Sequence, residues 1–183
     1  EGAQGRNIKP YDFRRPDRFS KDHLRALRTI HEAFARNVGP SLSSYLRTNA
    51  RLHLTVVEQT IFDENTQQLP DPTLIYIVQL NPLQGHGILE FNLTTALAML
   101  DRLCGGPGVP PPKARELTEI EVALLRSVGQ QLLRVLADAW SSVLPLEPVL
   151  DDILLKPGQI RSISPNEIVA LLVLEMTLGQ ARG

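Results

Sequence analysis

Apolar residues recur at steps of three and four between residues 24 and 45, the spacing of one helical face. They are Leu24, Leu27, Ile30, Phe34, Val38, Leu42 and Tyr45. Ser20 precedes this stripe as an N-cap residue would. Gly39 and Pro40 interrupt it. Because proline removes a backbone donor and clashes with the preceding turn, we expect a kink or two abutting helices there.

Shorter apolar runs follow this helix and predict strands. Residues 51–62 begin by alternating apolar and polar side chains, as a half-buried strand does. Residues 73–80 form a nearly continuous apolar run, which is typical of a central strand. A turn over residues 81–85 separates this run from residues 86–91, so the two runs predict a hairpin.

A second, shorter helix is predicted to extend to Leu103, with Thr94 or Thr95 as its N-cap and Gly105 ending it. The adjoining residues 104–113 contain three glycines and four prolines, which excludes regular structure. A long loop of this kind within a domain is either a connector or a functional element. The composition alone leaves both interpretations open.

The longest helix is predicted from Thr118 to about Ser142. Glu121 completes a capping box with Thr118, and Leu117 and Val122 have the spacing of a hydrophobic staple. Its apolar residues cover a wide face, so we expect this helix to be mostly buried. They are Ile120, Leu124, Leu125, Val128, Leu132, Leu136 and Trp140.

The remaining pattern predicts a strand, or a strand plus a bulge, over residues 149–155 and 159–163, and a further strand over residues 167–178. The first half of the chain then contains a long helix, three strands and a short helix, and the second half repeats a long helix and two strands. We interpret this order as an internal duplication whose second copy lacks its last strand and short helix, either because the duplication is imperfect or because the chain is cut before these elements. Residues 1–19 are predicted to be an extended lead-in, and residues 20–183 a single domain.

The composition is that of a globular protein: of 183 residues, 43% are hydrophobic and 21% are charged. A net charge of −1 gives no global argument for nucleic-acid binding. Residues 1–51 hold 11 basic and 5 acidic residues (+6), and residues 52–183 hold 8 and 15 (−7). The basic segment either seeks an anionic partner or meets the carboxylates of the domain itself.

Chemistry that enzymes need is missing from the pattern. One cysteine, Cys104, excludes an internal disulfide and a multi-cysteine zinc site, and we expect it to be a buried small hydrophobe. His31 and Glu32 begin a helical zinc motif, but Ala35 stands where the second histidine would be. No phosphate-binding loop is present. The sequence therefore predicts no metal, no cofactor and no catalytic residue.

Two further expectations concern the environment of the chain. No apolar run approaches the roughly 18 residues of a membrane span. The sequence opens at Glu1 rather than methionine, which we interpret as a fragment of a larger cytosolic protein.

Six segments in order resemble the middle domain of the FliM family of bacterial flagellar motor switch proteins. They are residues 11–16, 30–36, 105–108, 117–121, 139–140 and 163–169. The resemblance implies a three-layer α/β/α domain of the CheC type with a pseudo-two-fold internal repeat. The family also continues past Gly183 with another strand and helix, in agreement with a second repeat that is truncated here.

The resemblance implies a structural, non-enzymatic role in the cytoplasmic ring of the flagellar rotor, peripheral to the inner membrane at the basal body. Neighbouring FliM subunits would stand side by side there, without membrane insertion or nucleic acid. Gly105, Gly106, Pro107 and Gly108 match the family's contact for the rotor protein FliG, position by position. A weaker contact with phosphorylated CheY is also implied, on a surface that the resemblance does not place.

The resemblance also implies an alternative function, because the same fold family includes CheC-like phosphatases that act on phosphorylated CheY. Those enzymes carry a glutamate and an asparagine three residues apart on an exposed helix face, where the asparagine orients the attacking water. The glutamates of the two long helices lack this asparagine. The pairs at that spacing are Glu32 with Ala35, Glu119 with Val122, and Glu121 with Leu124.

Overall fold

A computed structural model describes residues 18–111, 113 and 115–182 of the chain. The lead-in predicted for residues 1–19 therefore lies almost entirely outside the described residues. The elements follow one another as α1 (Lys21–Leu46), β1 (Ala50–Ile61), α2 (Phe62–Thr66), β2 (Leu74–Asn81), β3 (His86–Phe91), α3 (Leu93–Leu103), α4 (Glu119–Trp140), β4 (Glu147–Leu154), a 3₁₀ turn (Pro157–Gln159), β5 (Ile168–Leu178) and β6 (Ala181–Arg182).

Helix α1 begins at the predicted cap. The Ser20 hydroxyl accepts the His23 N–H at 3.1 Å, and the Ser20 N–H donates to the imidazole Nδ1 of His23 at 3.4 Å. The helix continues without interruption through Pro40, so the expectation of two abutting helices is wrong. Pro40 is exposed, and water can therefore bind the carbonyl group that loses its donor.

Gly39 has a separate role in the packing of α1. A Cβ atom at this position would lie 3.1 Å from the carbonyl oxygen of Ala50, at the start of β1. The absence of a side chain lets the strand approach the helix closely. Ser43 reinforces the same contact, because its hydroxyl accepts the Ala50 N–H at 2.9 Å and donates to the Gly39 carbonyl at 2.7 Å.

The strands form two three-stranded antiparallel sheets, in the orders β1-β5-β6 and β3-β2-β4. The middle strand of each sheet thus pairs with its hairpin partner and with the first strand of the other half of the chain. The short α2 follows β1, and the 3₁₀ turn follows β4 at the corresponding place. This correspondence confirms the predicted internal repeat.

Strand β2 is the buried central strand that its apolar run predicts, and its hairpin with β3 is present. Leu74, Tyr76 and Val78 belong to the main core, whereas Ile75 and Ile77 belong to a second cluster. Because successive side chains of a strand point to opposite faces, the two clusters lie on opposite faces of the sheet.

The layers on the two faces differ in size. Residues of α1, α3 and α4 build the main core together. The other face is covered by Phe62 of α2 and by Ile160 and Ile163, which follow the 3₁₀ turn. The chain is therefore a mixed α/β fold in which three helices pack against one face of the strands, while the short α2 and a coiled segment cover the other face.

Two strand predictions in the second half need correction. Residues 159–163 form no strand: Pro157 starts a 3₁₀ turn, and the Ile160 N–H donates to its carbonyl at 3.1 Å. Ile160 and Ile163 are three residues apart and join one cluster, so the apolar spacing reflects a coiled segment over the sheet. The second half also has a third strand, β6, which pairs with β5 through Ala181 and Arg182.

Candidate functional site

Helix α3 leads directly into the glycine–proline loop that the sequence singles out. Its N-cap is Asn92, whose carboxamide oxygen accepts the Thr95 N–H at 2.8 Å. The prediction of Thr94 or Thr95 as the cap is therefore wrong. Thr95 is 2% exposed, within the core. Asparagine caps helices as well as threonine does, and apolar Leu93 follows it inside the first turn.

The C-terminal end of α3 has the Schellman geometry, as a glycine after the last turn predicts. The Gly105 N–H donates to the Arg102 carbonyl at 3.1 Å, and the Gly106 N–H donates to the Asp101 carbonyl at 2.8 Å. Gly105 has a φ of +89°, which residues with a side chain rarely adopt. The loop therefore leaves the helix in a fixed direction.

Asp101 binds the loop from the last turn of α3. One carboxylate oxygen accepts the Gly108 N–H at 2.7 Å. A Cβ atom on Gly106 would overlap the same carboxylate. Glycine at position 106 thus leaves the space that Asp101 occupies, and the loop folds back over its own helix.

Arg102 binds the other side of the loop. Its Nη1 donates to the Gly106 carbonyl at 2.8 Å, and a Cβ atom on Gly108 would lie 2.7 Å from its Cδ. The same guanidinium reaches the end of α1, where Nε donates to the Leu46 carbonyl at 2.9 Å and Nη2 donates to the Arg47 carbonyl. One side chain thus joins the loop to two helices.

The loop nevertheless presents a free face. Gly105 and Pro107 are exposed, Gly106 is half-buried, and Gly108 is buried against the helix. Cys104 is exposed, contrary to the expectation of a buried small hydrophobe. Val109 continues this face and is 54% exposed. Of the four predicted site residues, Gly105, Gly106 and Pro107 therefore form a low surface with little side-chain relief, and Gly108 lies beneath it.

A second group of side-chain contacts fixes the segment between α3 and α4 at the point where it enters α4. Glu121 and Thr118 form the predicted capping box, and Arg115 binds both carboxylate oxygens of Glu121, at 2.5 and 2.8 Å. The Arg115 guanidinium lowers the pKa of Glu121 to about 2, assisted by the Thr118 hydrogen bonds and opposed by burial. Leu117, beside the cap, is buried in the main core with Val122 against it, as a staple requires.

The apolar face of α4 is narrower than predicted. Ile120 is 75% exposed and Leu124 is 42% exposed, so the expectation that both are buried is wrong. The buried face begins at Leu125, whose carbonyl accepts the buried Tyr76 hydroxyl at 2.8 Å. Ile120 and Leu124 lie off that face. The helix ends at Trp140.

The exposed start of α4 lies at the same end of the molecule as the end of α1. Ser41 of α1 accepts the Gln131 carboxamide at 2.8 Å, and the His31 ring lies 6.0 Å from the Trp140 ring. These contacts make the two helices antiparallel. The exposure of Ile120 and Leu124 at the start of α4 could not be predicted, because exposed and buried apolar residues look alike in a helical pattern.

His31 has a packing role in the structure. His31 Nδ1 lies 2.9 Å from the Leu27 carbonyl, and its ring makes edge contacts with Phe34 and Trp140. Burial lowers the pKa of His31, and the Leu27 hydrogen bond opposes this effect. Among residues 18–111, 113 and 115–182, histidine, cysteine and carboxylate side chains form no group of three that could bind a metal ion.

The basic N-terminal segment has one described contact of the kind expected for a tether. Arg18 forms an ion pair with Glu167, which precedes β5. The neighbouring Phe19 N–H donates to the Gln59 carboxamide at 3.2 Å. At the start of α1, the basic charge therefore meets a carboxylate of the domain itself.

The family model described as "Flagellar motor switch protein FliM" matches residues 20–183. The chain belongs to the FliM family. The flagellar motor switch protein FliM of Borreliella burgdorferi is 39% identical over 177 residues, which are 96% of this chain and 50% of that protein. The chain thus spans about half the length of the curated FliM relatives it matches.

Solved structures agree with this assignment. A chain in the crystal structure of a FliG–FliM complex from H. pylori has a TM-score of 0.86 and 35% identity, and 90% of each chain is covered. The crystal structure of the FliM middle domain from H. pylori gives a TM-score of 0.82 and 34% identity, covering 90% of this chain and 89% of that one. These matches confirm the predicted FliM-type fold.

None of the helices in the part of the chain that the structure describes is long and apolar enough to cross a membrane.

Proposed function

We propose that this chain is a structural component of the flagellar motor switch that docks FliG through Gly105, Gly106, Pro107 and Gly108. One observation carries the proposal: the loop is exposed at its tip and yet held by side-chain hydrogen bonds from its own helix. A loop that is already ordered loses little conformational entropy when a partner binds. A FliM relative solved in complex with FliG supports the choice of partner.

The proposed role is mechanical and non-enzymatic. Copies of the chain stand side by side in the cytoplasmic ring of the rotor, peripheral to the inner membrane at the basal body. A weak contact with phosphorylated CheY, the chemotaxis signal, changes how the domain sits against its neighbours, and the loop passes that change to FliG. CheY shifts this equilibrium only by its differential affinity for the two arrangements.

The alternative, a CheC-like phosphatase of phosphorylated CheY, is not favoured. The helix positions that would carry its asparagine hold apolar residues, and Ala35 and Val122 among them are buried or partly buried. An apolar side chain cannot orient a water molecule for attack on an acyl phosphate. A decay assay with phosphorylated CheY checks this point: the chain should leave the decay rate unchanged, and acceleration would favour the phosphatase.

The docking role is tested by binding rather than by activity. Pro107→Arg places a long charged side chain on the exposed tip, and we expect FliG affinity to fall by about tenfold or more, as at a central interface position. Gln84→Arg makes the same kind of change in the exposed turn between β2 and β3. Calorimetric titration with FliG compares the two variants with the wild type.

Pro107 is the suitable position for this test because it is exposed, so that we expect its replacement to leave the fold intact. A side chain at Gly106 would displace Asp101 and so disturb the loop itself. Thermal unfolding recorded beside each titration should therefore be unchanged for Pro107→Arg. Normal FliG affinity of this variant, with normal folding, would contradict the docking role.

A further inference from the structure

Asp101 stands where helix electrostatics disfavours it. The residue lies in the last turn of α3, close to the carbonyl groups that give a helix C-terminus its partial negative charge. Its carboxylate accepts the N–H of Gly108, seven residues away, at 2.7 Å. A hydrogen bond from a backbone N–H to a charged acceptor is stronger than one between neutral groups. Its placement is thus explained by the loop that it binds.

Arg102 supplies a positive charge at the C-terminal end of α1. Helix α1 has no basic residue in its last turn, and the guanidinium of Arg102 donates to the carbonyls of Leu46 and Arg47 at that end. A third donor of the same group binds the Gly106 carbonyl. The planar fork of a guanidinium places its donors on three separate nitrogens in fixed directions, so each carbonyl meets its own nitrogen, whereas the donors of a lysine ammonium all radiate from one atom.

From these contacts we propose that Asp101 and Arg102 are positioning residues that hold the Gly105–Gly108 loop in its FliG-binding conformation, and that Arg102 couples this loop to the C-terminal end of α1. The first part rests on the proposed function. A displacement at the end of α1 then reaches the docking surface through one side chain. The apparent affinity of FliG falls in proportion to the fraction of loops that leave this conformation.

A purely structural interpretation assigns Arg102 to capping α1 and Asp101 to the end of α3. Four single variants of the whole chain separate the two interpretations. D101A removes the bond to Gly108, D101N keeps an acceptor at the same place, and R102K keeps the charge without the fork. R36K is the matched control, an exposed arginine on α1.

Three measurements are made on each variant: FliG affinity by calorimetry, hydrogen exchange of the Gly108 amide, and the melting temperature. We expect D101A to speed exchange at Gly108 and to weaken FliG binding by about tenfold, with little change in melting. D101N should restore exchange protection and affinity. R102K should weaken binding, whereas R36K should leave all three measurements unchanged.

The coupling to α1 has its own test. Ser43 fixes the end of this helix to β1 through the Ala50 N–H, so S43A loosens that end. In the wild-type background S43A should speed exchange at Gly108, and in the R102K background it should add no further increase. Equal increases in both backgrounds would overturn the coupling.

Two results would overturn the positioning role of Asp101. One is an unchanged exchange rate at Gly108 in D101A. The other is faster exchange with unaltered FliG affinity. Absence of FliG binding by the wild-type chain would instead contradict the proposed function, and Gly108 exchange in D101A would still decide whether Asp101 holds the loop.

Discussion

Two glycine–proline segments of this molecule look alike in sequence and differ in structure. The turn over residues 81–85 joins β2 to β3 and is closed by the Leu83 N–H donating to the Leu80 carbonyl at 2.7 Å. The Gly105–Gly108 loop is bound by Asp101 and Arg102 as well as by the backbone. Both are exposed. Composition therefore identifies a break in regular structure, and only side-chain contacts separate a simple turn from a held loop.

A substitution in the main core should have the largest effect on stability. Leu132 is 1% exposed in the main core, and Leu132→Ala should lower the free energy of unfolding by about 2–5 kcal/mol, because it leaves a cavity that the structure fills only partly. Urea unfolding measures the loss. A value well below 1 kcal/mol would show that α4 does not form the core as described.

Alanine substitutions at the two glycines with positive φ distinguish the segments directly. Gly108→Ala adds strain at a φ of +78° and a contact with Arg102, and should cost about 2–4 kcal/mol. Gly85→Ala has a φ of +105° but open space around its Cβ, and should cost about 1–2 kcal/mol. Equal losses in urea unfolding would show that Arg102 does not restrict the loop.

Acid should break the ion pair between Arg115 and Glu121 at the start of α4. The pKa of Glu121 is lowered to about 2 from its ordinary 4.5, so its stabilising contribution is present above pH 4.5 and is lost as the pH falls through about 2. Glu121→Gln should therefore flatten the pH dependence of unfolding between these values. Glu119→Gln, which changes the same turn and leaves the cap contacts in place, is the control; identical profiles would contradict the assignment.

Exposed apolar residues beside each segment should have the smallest effects on stability. Val109→Ser and Leu83→Ser should each change the free energy of unfolding by less than about 0.5 kcal/mol, since both residues are exposed and neither belongs to the core. Under the proposed function, only Val109→Ser weakens FliG binding. Calorimetry measures the FliG affinity of both variants. Equal affinities would contradict a functional difference between the two segments.

Local signals allowed several elements to be predicted from the sequence. The capping box of Thr118 and Glu121, the cap at Ser20 and the glycine end of α3 depend on residues within one turn of each other. The order of elements also predicted the repeat. The order of elements could not predict that each sheet combines strands from both halves, because pairing partners such as β1 and β5 are far apart in the chain.

The interactions that hold the Gly105–Gly108 loop were not predictable. In the sequence, Asp101 and Arg102 look like ordinary polar residues at a helix end. The Leu46 carbonyl that Arg102 binds is 56 residues away along the chain. The one available signal was an aspartate in the last turn of a helix, where it is unfavourable. For Ile160 and Ile163, apolar spacing was misread as a strand, because a coiled segment can bury isoleucines equally well.

The exchange of strands between the two halves has a consequence for the integrity of the molecule. Each central strand is completed by a partner from the other half, so neither half can satisfy its backbone hydrogen bonds alone. A chain severed between α3 and α4 would yield two pieces that fold only on meeting. We therefore expect the two fragments to complement each other when they are mixed, and the segment between α3 and α4 is the place to cut the chain.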